Sequence, residues 1–206
     1  MPIVLNGSGP ITGVTSLNTT VSDTEIGYLD GVTSALQTQI NTAGGLVKIT
    51  DSTFSAQSTV SVNDCFSSTY ANYMIIGRTT VAAGSPALLV RLRLSGSDAS
   101  GTDYNFQEMG AASTVTANTR FASQTSWYFG YTTSGGVSSF IATVMSPNIA
   151  ETTLYQCSNG FRSAATTPEM YLDYGGHGLS TAYTGFTIYP ASSTITGNLR
   201  VYGIRN

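Results

Sequence analysis

Apolar and polar residues alternate along several stretches of the chain beyond residue 44, which is the pattern of β-strands with one buried face. In residues 88–94 the apolar side chains are predicted to point inward and Arg91 and Arg93 outward; the inward set is Leu88, Val90, Leu92 and Leu94. Residues 72–78 form a dense apolar run, which favours a central strand.

The same patterns predict about nine or ten short strands, separated by turn sequences and by no helix. They fall at 46–49, 53–62, 72–78, 88–94, 127–131, 139–145, 169–174, 185–189 and 199–205. Many short strands at regular spacing are typical of an antiparallel sandwich. The predicted fold class is therefore all-β, an antiparallel jelly-roll-like β-sandwich over residues 44–206.

Residues 21–43 have a different pattern, that of a short helical stem. Ser22 and Glu25 form a capping box, and Asp30-Gly31 interrupts the helix that follows. An apolar stripe with helical spacing comprises Ile26, Leu29, Val32, Leu36 and Ile40. Because helices this short are marginal in isolation, the stripe must be covered, either by copies of itself in a trimer or by the β domain. A coil of about two turns is too weak alone, so the β domains should also contact one another.

Residues 1–20 are predicted to be an extended docking arm. Its apolar tip is Pro2, Ile3, Val4 and Leu5, and the turn-forming residues 6–10 end any regular element there. Such an arm would be frayed alone and ordered by a partner surface.

Charged residues make up only 9% of the 206-residue chain, whereas 41% is hydrophobic, so a core can form under a surface of hydroxyls and amides. With a net charge of −3 and no basic cluster, we expect no binding to nucleic acid. No apolar run approaches about 20 residues, so we expect no membrane insertion. The start of the chain lacks signal-peptide features, so we expect synthesis in the cytoplasm.

Little in the sequence indicates catalysis. The single histidine, His177, lies between glycines and is predicted to be a loop residue. Histidine metal sites are excluded by this count, and no Gly-x-Ser-x-Gly nucleophile motif is present. We therefore expect no cofactor and no metal. Cys65 and Cys157 are expected to be half-buried reduced thiols, although a disulfide between them stays open.

One pair of acidic residues is a candidate for glycan cleavage, because two carboxylates can carry out that reaction. Glu169 and Asp173 are about 13 Å apart along a strand, which favours a solvated outer face with Tyr171, with Arg91 and Arg93 as partners. The loop 97–103 carries oxygen ligands that could hold Ca²⁺, but a polar hairpin explains it better.

Aromatic residues are the more plausible contacts for a glycan. The candidates are Trp127, Tyr128, Tyr131, Tyr174 and His177. Rings with nearby amides bind sugars without charge, but the same rings could fill the sandwich core or a subunit contact.

Three segments resemble bacteriophage fibre proteins. Residues 25–39, EIGYLDGVTSALQTQ, are similar to the stem that precedes their β-rich knobs. Residues 66–73, FSSTYANY, resemble the start of such knobs, and 195–205 resemble their terminal strand. Leu92-Arg93 and Tyr104 match two further positions. The resemblance implies a virion surface protein, usually trimeric, with a jelly-roll-like knob.

The resemblance implies a structural role rather than an activity. The short arm and stem favour a trimeric capsid decoration protein or head fibre that docks on the major capsid protein and is assembled into virions in the host cytoplasm. The alternative is a tail fibre or tail spike that docks on a tail adaptor and recognises a host surface glycan. A glycan-degrading enzyme is a third hypothesis.

Replacing Leu36 with Asp tests whether the stem stripe is an interface. A carboxylate in the centre of a packed stripe cannot be desolvated without a partner, so we expect the trimer to dissociate or melt earlier. Light scattering coupled to size-exclusion chromatography measures the mass, and thermal melting measures stability. A variant that remains trimeric with unchanged melting contradicts the stem interface.

Overall fold

The computed structural model describes the backbone of residues 16–18 and 21–22, and residues 45–112, 115–162 and 168–205. The chain divides into two compact units, Met1–Gly44 and Gly45–Asn206. In the first unit, β1 (Ser16–Asn18) pairs antiparallel with β2 (Val21–Ser22). The arm residues Pro2 to Leu5 and the stem stripe from Ile26 to Ile40 lie outside the described residues.

The second unit consists of strands joined by turns and loops. The strands are β3 (Leu46–Gln57), β4 (Val60–Val62), β5 (Asn72–Val81), β6 (Ala87–Leu94), β7 (Ser97–Asp98), β8 (Tyr104–Ala112), β9 (Val115–Gln124), β10 (Trp127–Tyr131), β11 (Val137–Met145), β12 (Thr153–Arg162), β13 (Glu169–His177), β14 (Gly185–Pro190) and β15 (Ile195–Ile204). No helix occurs in the part of the chain that the structure describes.

These strands form two antiparallel sheets. The large sheet has eight strands in the order β3-β15-β5-β11-β12-β13-β8-β9. The small sheet has five, with β10-β6-β14-β4 in a row and β7 paired to β6. Every strand pair among the described residues is antiparallel, which confirms the predicted all-β, antiparallel class.

Apolar side chains from both sheets meet in one core. From the small sheet, Trp127 and Phe129 of β10 and Ile188 of β14 are buried, and from the large sheet Tyr155 and Phe140 are buried opposite them. The ring centroids of Trp127 and Tyr155 are 4.4 Å apart and the rings are stacked. Alternation along each strand therefore puts one face of the large sheet into this core and leaves the other outside.

Strands β8, β9 and β12 were not predicted, although β12 alternates between buried and exposed positions along its whole length. Its inward residues are Thr153, Tyr155, Cys157, Asn159 and Phe161. Several of these are polar or small, so the hydrophobic pattern is weak in the sequence even though the burial pattern is regular.

The prediction for β6 was correct for three of its four inward residues. Leu88, Val90 and Leu92 are buried, but Leu94, the last residue of the strand, is 41% exposed. The strand ends there in the turn at Ser95 and Gly96, both with positive φ, so the core no longer covers its side chain. The predicted strand 53–62 is likewise two strands, β3 and β4, which belong to different sheets.

The described residues contain no helix that is long and apolar enough to cross a membrane.

Replacing Leu92 or Leu94 with Ala separates core burial from exposure within one strand. Leu92 is 1% exposed, so its truncation should cost about 2–5 kcal/mol of unfolding free energy through lost burial and a cavity. Truncation of Leu94 should change the unfolding free energy by less than about 0.5 kcal/mol. Urea unfolding of both variants measures the difference. Equal losses would contradict the assigned faces of β6.

Candidate functional site

The five aromatic and histidine candidates do not form one surface cluster. Trp127 and His177 are buried, Tyr128 and Tyr131 are half-buried, and Tyr174 is exposed. The indole Nε1 of Trp127 donates to the Gly176 carbonyl at 3.2 Å, which ties β10 to β13 across the two sheets. Trp127 therefore fills the core, which was the alternative stated for these rings, and it is not open to a glycan.

His177 is the last residue of β13 and not a loop residue, so that prediction was wrong. Its Nδ1 is 3.1 Å from the hydroxyl of Tyr183, and its ring lies 4.4 Å from the ring of Tyr104. Burial lowers the pKa of His177, so the imidazole is neutral at neutral pH. Enclosed by rings, it has a packing role and is not exposed to substrate or ligand.

The most unusual polar feature is a pair of carboxyl groups inside the fold. Asp173 of β13 lies directly opposite Glu108 of β8, and both side chains face the core. They are 1% and 8% exposed. Both oxygens of Asp173 and Oε2 of Glu108 lack a hydrogen bond of normal geometry among the described residues.

This placement corrects the prediction that Asp173 lies on a solvated outer face. The register with β8 explains the reversal, because Tyr104 and Phe106 of β8 face the core and β13 is aligned with them. That alignment turns Asp173 and Tyr171 to the inner side and leaves Met170 exposed.

The arginines expected to pair with these carboxylates have other partners. Nε of Arg91 donates to the Thr125 carbonyl at 2.9 Å, and its guanidinium lies over the ring of Tyr189. Arg93 forms an ion pair with Asp98 and donates to Thr187 Oγ1 at 2.6 Å. Asp98 is neutralised in this way, and Ser97 and Asp98 form β7, which pairs with the end of β6 in a hairpin. Among the described residues, no group of three or more acidic, histidine or cysteine side chains could hold a metal ion.

Tyrosines and one asparagine surround the acid pair. The hydroxyl of Tyr131 lies 3.5 Å from Oε1 of Glu108 and donates to it. Asn159 fixes the backbone beside it, accepting from the Tyr131 N–H at 2.9 Å and donating to the Tyr131 carbonyl at 3.1 Å. Gly130, at φ 77°, lets the two strands approach, since a Cβ there would be 2.3 Å from the Asn159 side chain.

This environment keeps Asp173 protonated at neutral pH. Burial, with the charge of nearby Glu108, raises the pKa of Asp173 to about 8, and a weak contact with the backbone N–H of Gly130 only partly opposes this. Burial also raises the pKa of Glu108, which the hydroxyl of Tyr131 partly offsets. Asp173 can store a proton, but its burial keeps it away from a glycan.

The two cysteines are free and buried. Burial raises the pKa of Cys65 to about 12 and that of Cys157 well above its usual value, so neither is a reactive thiolate. They are more deeply buried than predicted.

The outer side of the large sheet carries an exposed apolar band, which we call the apolar face. Its side chains come from β5, β8, β11, β12 and β13 and are 36% to 56% exposed. The members are Ile76, Met109, Ile141, Leu154, Met170, Leu172 and Tyr174. Strand register places Ile76 beside Ile141, and Leu172 beside Met109, so the band crosses the sheet. The apolar face was not predicted from the sequence, because apolar residues in a strand were assigned to the core.

Amide side chains adjoin one end of the apolar face. In the register of the large sheet Tyr174 lies between Gln156 of β12 and Gln107 of β8, with all three side chains exposed. Next to them, a shallow depression of about 340 Å³ is lined by residues of β8 and β9, including Met109 and Arg120. An exposed ring between two amides is a geometry that can hold a sugar.

Comparison with known proteins gave no match to a family model, to a curated protein or to a solved structure.

Replacing Asp173 with Asn tests whether Asp173 is protonated in the folded protein. Because the folded-state pKa of Asp173 is raised from 3.8 to about 8, its contribution to stability is complete below about pH 4 and is lost as the pH rises towards 8. The wild-type unfolding free energy should fall over this range, by up to about 1.4 kcal/mol per pH unit from this group. Asn cannot titrate and should flatten that slope in urea unfolding at several pH values.

The control is Glu169→Gln, which removes a partly exposed carboxyl group from the same strand. This variant should keep the wild-type slope. An unchanged slope in Asp173→Asn would show that Asp173 is ionised in the folded protein and that another group carries the pH dependence.

Proposed function

We propose that this chain is a non-enzymatic bacteriophage structural protein. It forms a homotrimer with a helical stem and a jelly-roll-like knob, and its N-terminal arm docks on the major capsid protein as a capsid decoration protein or head fibre. The observation that carries the proposal is the uncharged apolar face of the large sheet, which an isolated chain would leave in water.

The segments that resemble phage fibre knobs support the proposal because they are structural parts of this fold. Phe66 and Tyr73 are buried with ring centroids 4.7 Å apart. The Tyr73 hydroxyl donates to the Ser67 carbonyl and accepts from the Ser67 N–H, both at 2.7 Å. The other segment is β15, which lies between β3 and β5 in the large sheet. Because both segments are structural parts of the knob, their resemblance to phage fibre knobs concerns the fold.

The position of the acidic groups supports a role without catalysis. Asp173 and Glu108 do converge, as a glycan-cleaving pair requires, but they do so inside the core. His177, the only histidine of the chain, is buried as well. Asp173 and His177, at 1% and 0% exposure, are not open to a substrate.

A receptor-binding tail fibre or tail spike is the second candidate. The exposed Tyr174 between Gln107 and Gln156 favours it, because a ring flanked by two amides suits an uncharged glycan. In that case the arm would dock on a tail adaptor and the outer face of the large sheet would meet the host.

The copy number of this chain per purified virion separates the two candidates. A capsid decoration protein should be present in hundreds of copies, in proportion to the major capsid protein, whereas a tail protein should be present in a few dozen or fewer. Quantitative mass spectrometry with isotope-labelled peptides measures the ratio. Complete absence from virions would contradict both candidates.

A further inference from the structure

We propose that the apolar face is a subunit interface and that its partner is a second copy of this chain. The inference rests on the proposed homotrimer and specifies which surface of the knob holds it together. In a closed trimer, three such faces turned towards the three-fold axis would cover one another.

The apolar face lacks the charges that normally keep a sheet surface in water. Among the described residues of β5, β8, β11, β12 and β13, the outward positions carry two charges, Arg78 of β5 and Arg162 at the end of β12. Two more arginines adjoin the face, Arg200 of β15 beside Ile76 and Arg120 of β9 beside Gln107. The remaining outward positions of the five strands are apolar, glycine, hydroxyl or amide residues. The charges therefore lie outside an uncharged centre, which a copy of the chain can cover without burying a charge.

The size of the apolar face fits a protein partner. Seven large side chains at 36% to 56% exposure present apolar area on the order of 600 Å², the upper limit for a patch on a monomer. A stable interface buries about 800 Å² per partner. The adjoining outward residues Thr143, Gln107 and Gln156 supply the difference. A sugar ring would cover only the part around Tyr174.

The composition of the apolar face also favours a copy over a foreign protein. Interfaces between identical subunits are more apolar than transient ones, and the centre of this face offers no charge to select a different partner. Met109 and Met170 add unbranched side chains that adapt to the opposing surface.

The predicted stem would bring copies of the knob close together. Its last stripe residue, Ile40, precedes Leu46 of β3 by a short Gly-containing linker. Tethering by such a linker raises the effective concentration of the neighbouring knobs to about the millimolar range. A modest affinity between faces then suffices to close the trimer.

The test compares two Leu→Glu variants of the full chain. Leu172 lies within the apolar face and is 39% exposed, and Leu94 lies in the small sheet and is 41% exposed. Light scattering with size-exclusion chromatography gives the mass of each variant at protein concentrations from about 0.1 to 100 µM. We expect Leu172→Glu to raise the trimer dissociation constant at least tenfold, and Leu94→Glu to leave it within about twofold.

A second measurement does not depend on any variant folding. Met109 and Met170 are 54% and 56% exposed in the single chain, so hydrogen peroxide should oxidise them readily unless a partner covers them. In the wild-type trimer we expect both methionines to be oxidised at least about fivefold more slowly than in the dissociated Leu172→Glu chain. If that variant is unfolded, the reference is the oxidation rate of free methionine.

The outcomes separate this inference from the proposed function. A wild-type trimer whose methionines oxidise at the free rate, with Leu172→Glu still trimeric, would overturn the interface and leave the trimer intact. Loss of host polysaccharide binding in Tyr174→Ala of such a trimer would assign the face to glycan instead. A wild-type chain that is monomeric throughout would overturn both the interface and the trimer.

Discussion

The stacking of Trp127 on Tyr155 joins the two sheets, and the rest of the second unit is arranged around it. Trp127 comes from the small sheet and Tyr155 from the centre of the large one. The indole also bonds to the backbone of β13, and Phe129 from the same short strand packs between Tyr155 and Phe140. One five-residue strand therefore fixes the distance and angle between the sheets.

This aromatic contact determines what the rest of the large sheet can do. Its inner face has to accommodate rings, so strand register is set by tyrosines and phenylalanines and not by charge. Glu108 and Asp173 are then carried inward, where Asp173 stays protonated, while the aliphatic residues of β13 are left outside. The buried acid pair and the apolar face are two sides of the same strand alignment.

The fold class was predictable from the sequence because β5, β6, β14 and β15 have strong hydrophobic patterns. The candidate site was not. Met170, Leu172 and Tyr174 alternate as a buried face should, so a monomer-based rule places them inside and Asp173 outside. The rule fails here because it allows a strand face only two surroundings, solvent and the core of the same chain. Only the neighbouring register, set by Tyr104 and Phe106, decides the side.

The position of β15 has a consequence for how the chain folds. Residues 195–204 lie between β3 and β5, so Leu46 is aligned with Ile204 across the sheet. β3 and β5 therefore cannot be joined in the large sheet until residues 195–204 have left the ribosome. Closing so long a loop makes the contact order high and folding slow, and until then β3 and β5 expose unpaired edges. Assembly in the cell would thus depend on chaperone capacity and growth temperature as well as on the final contacts.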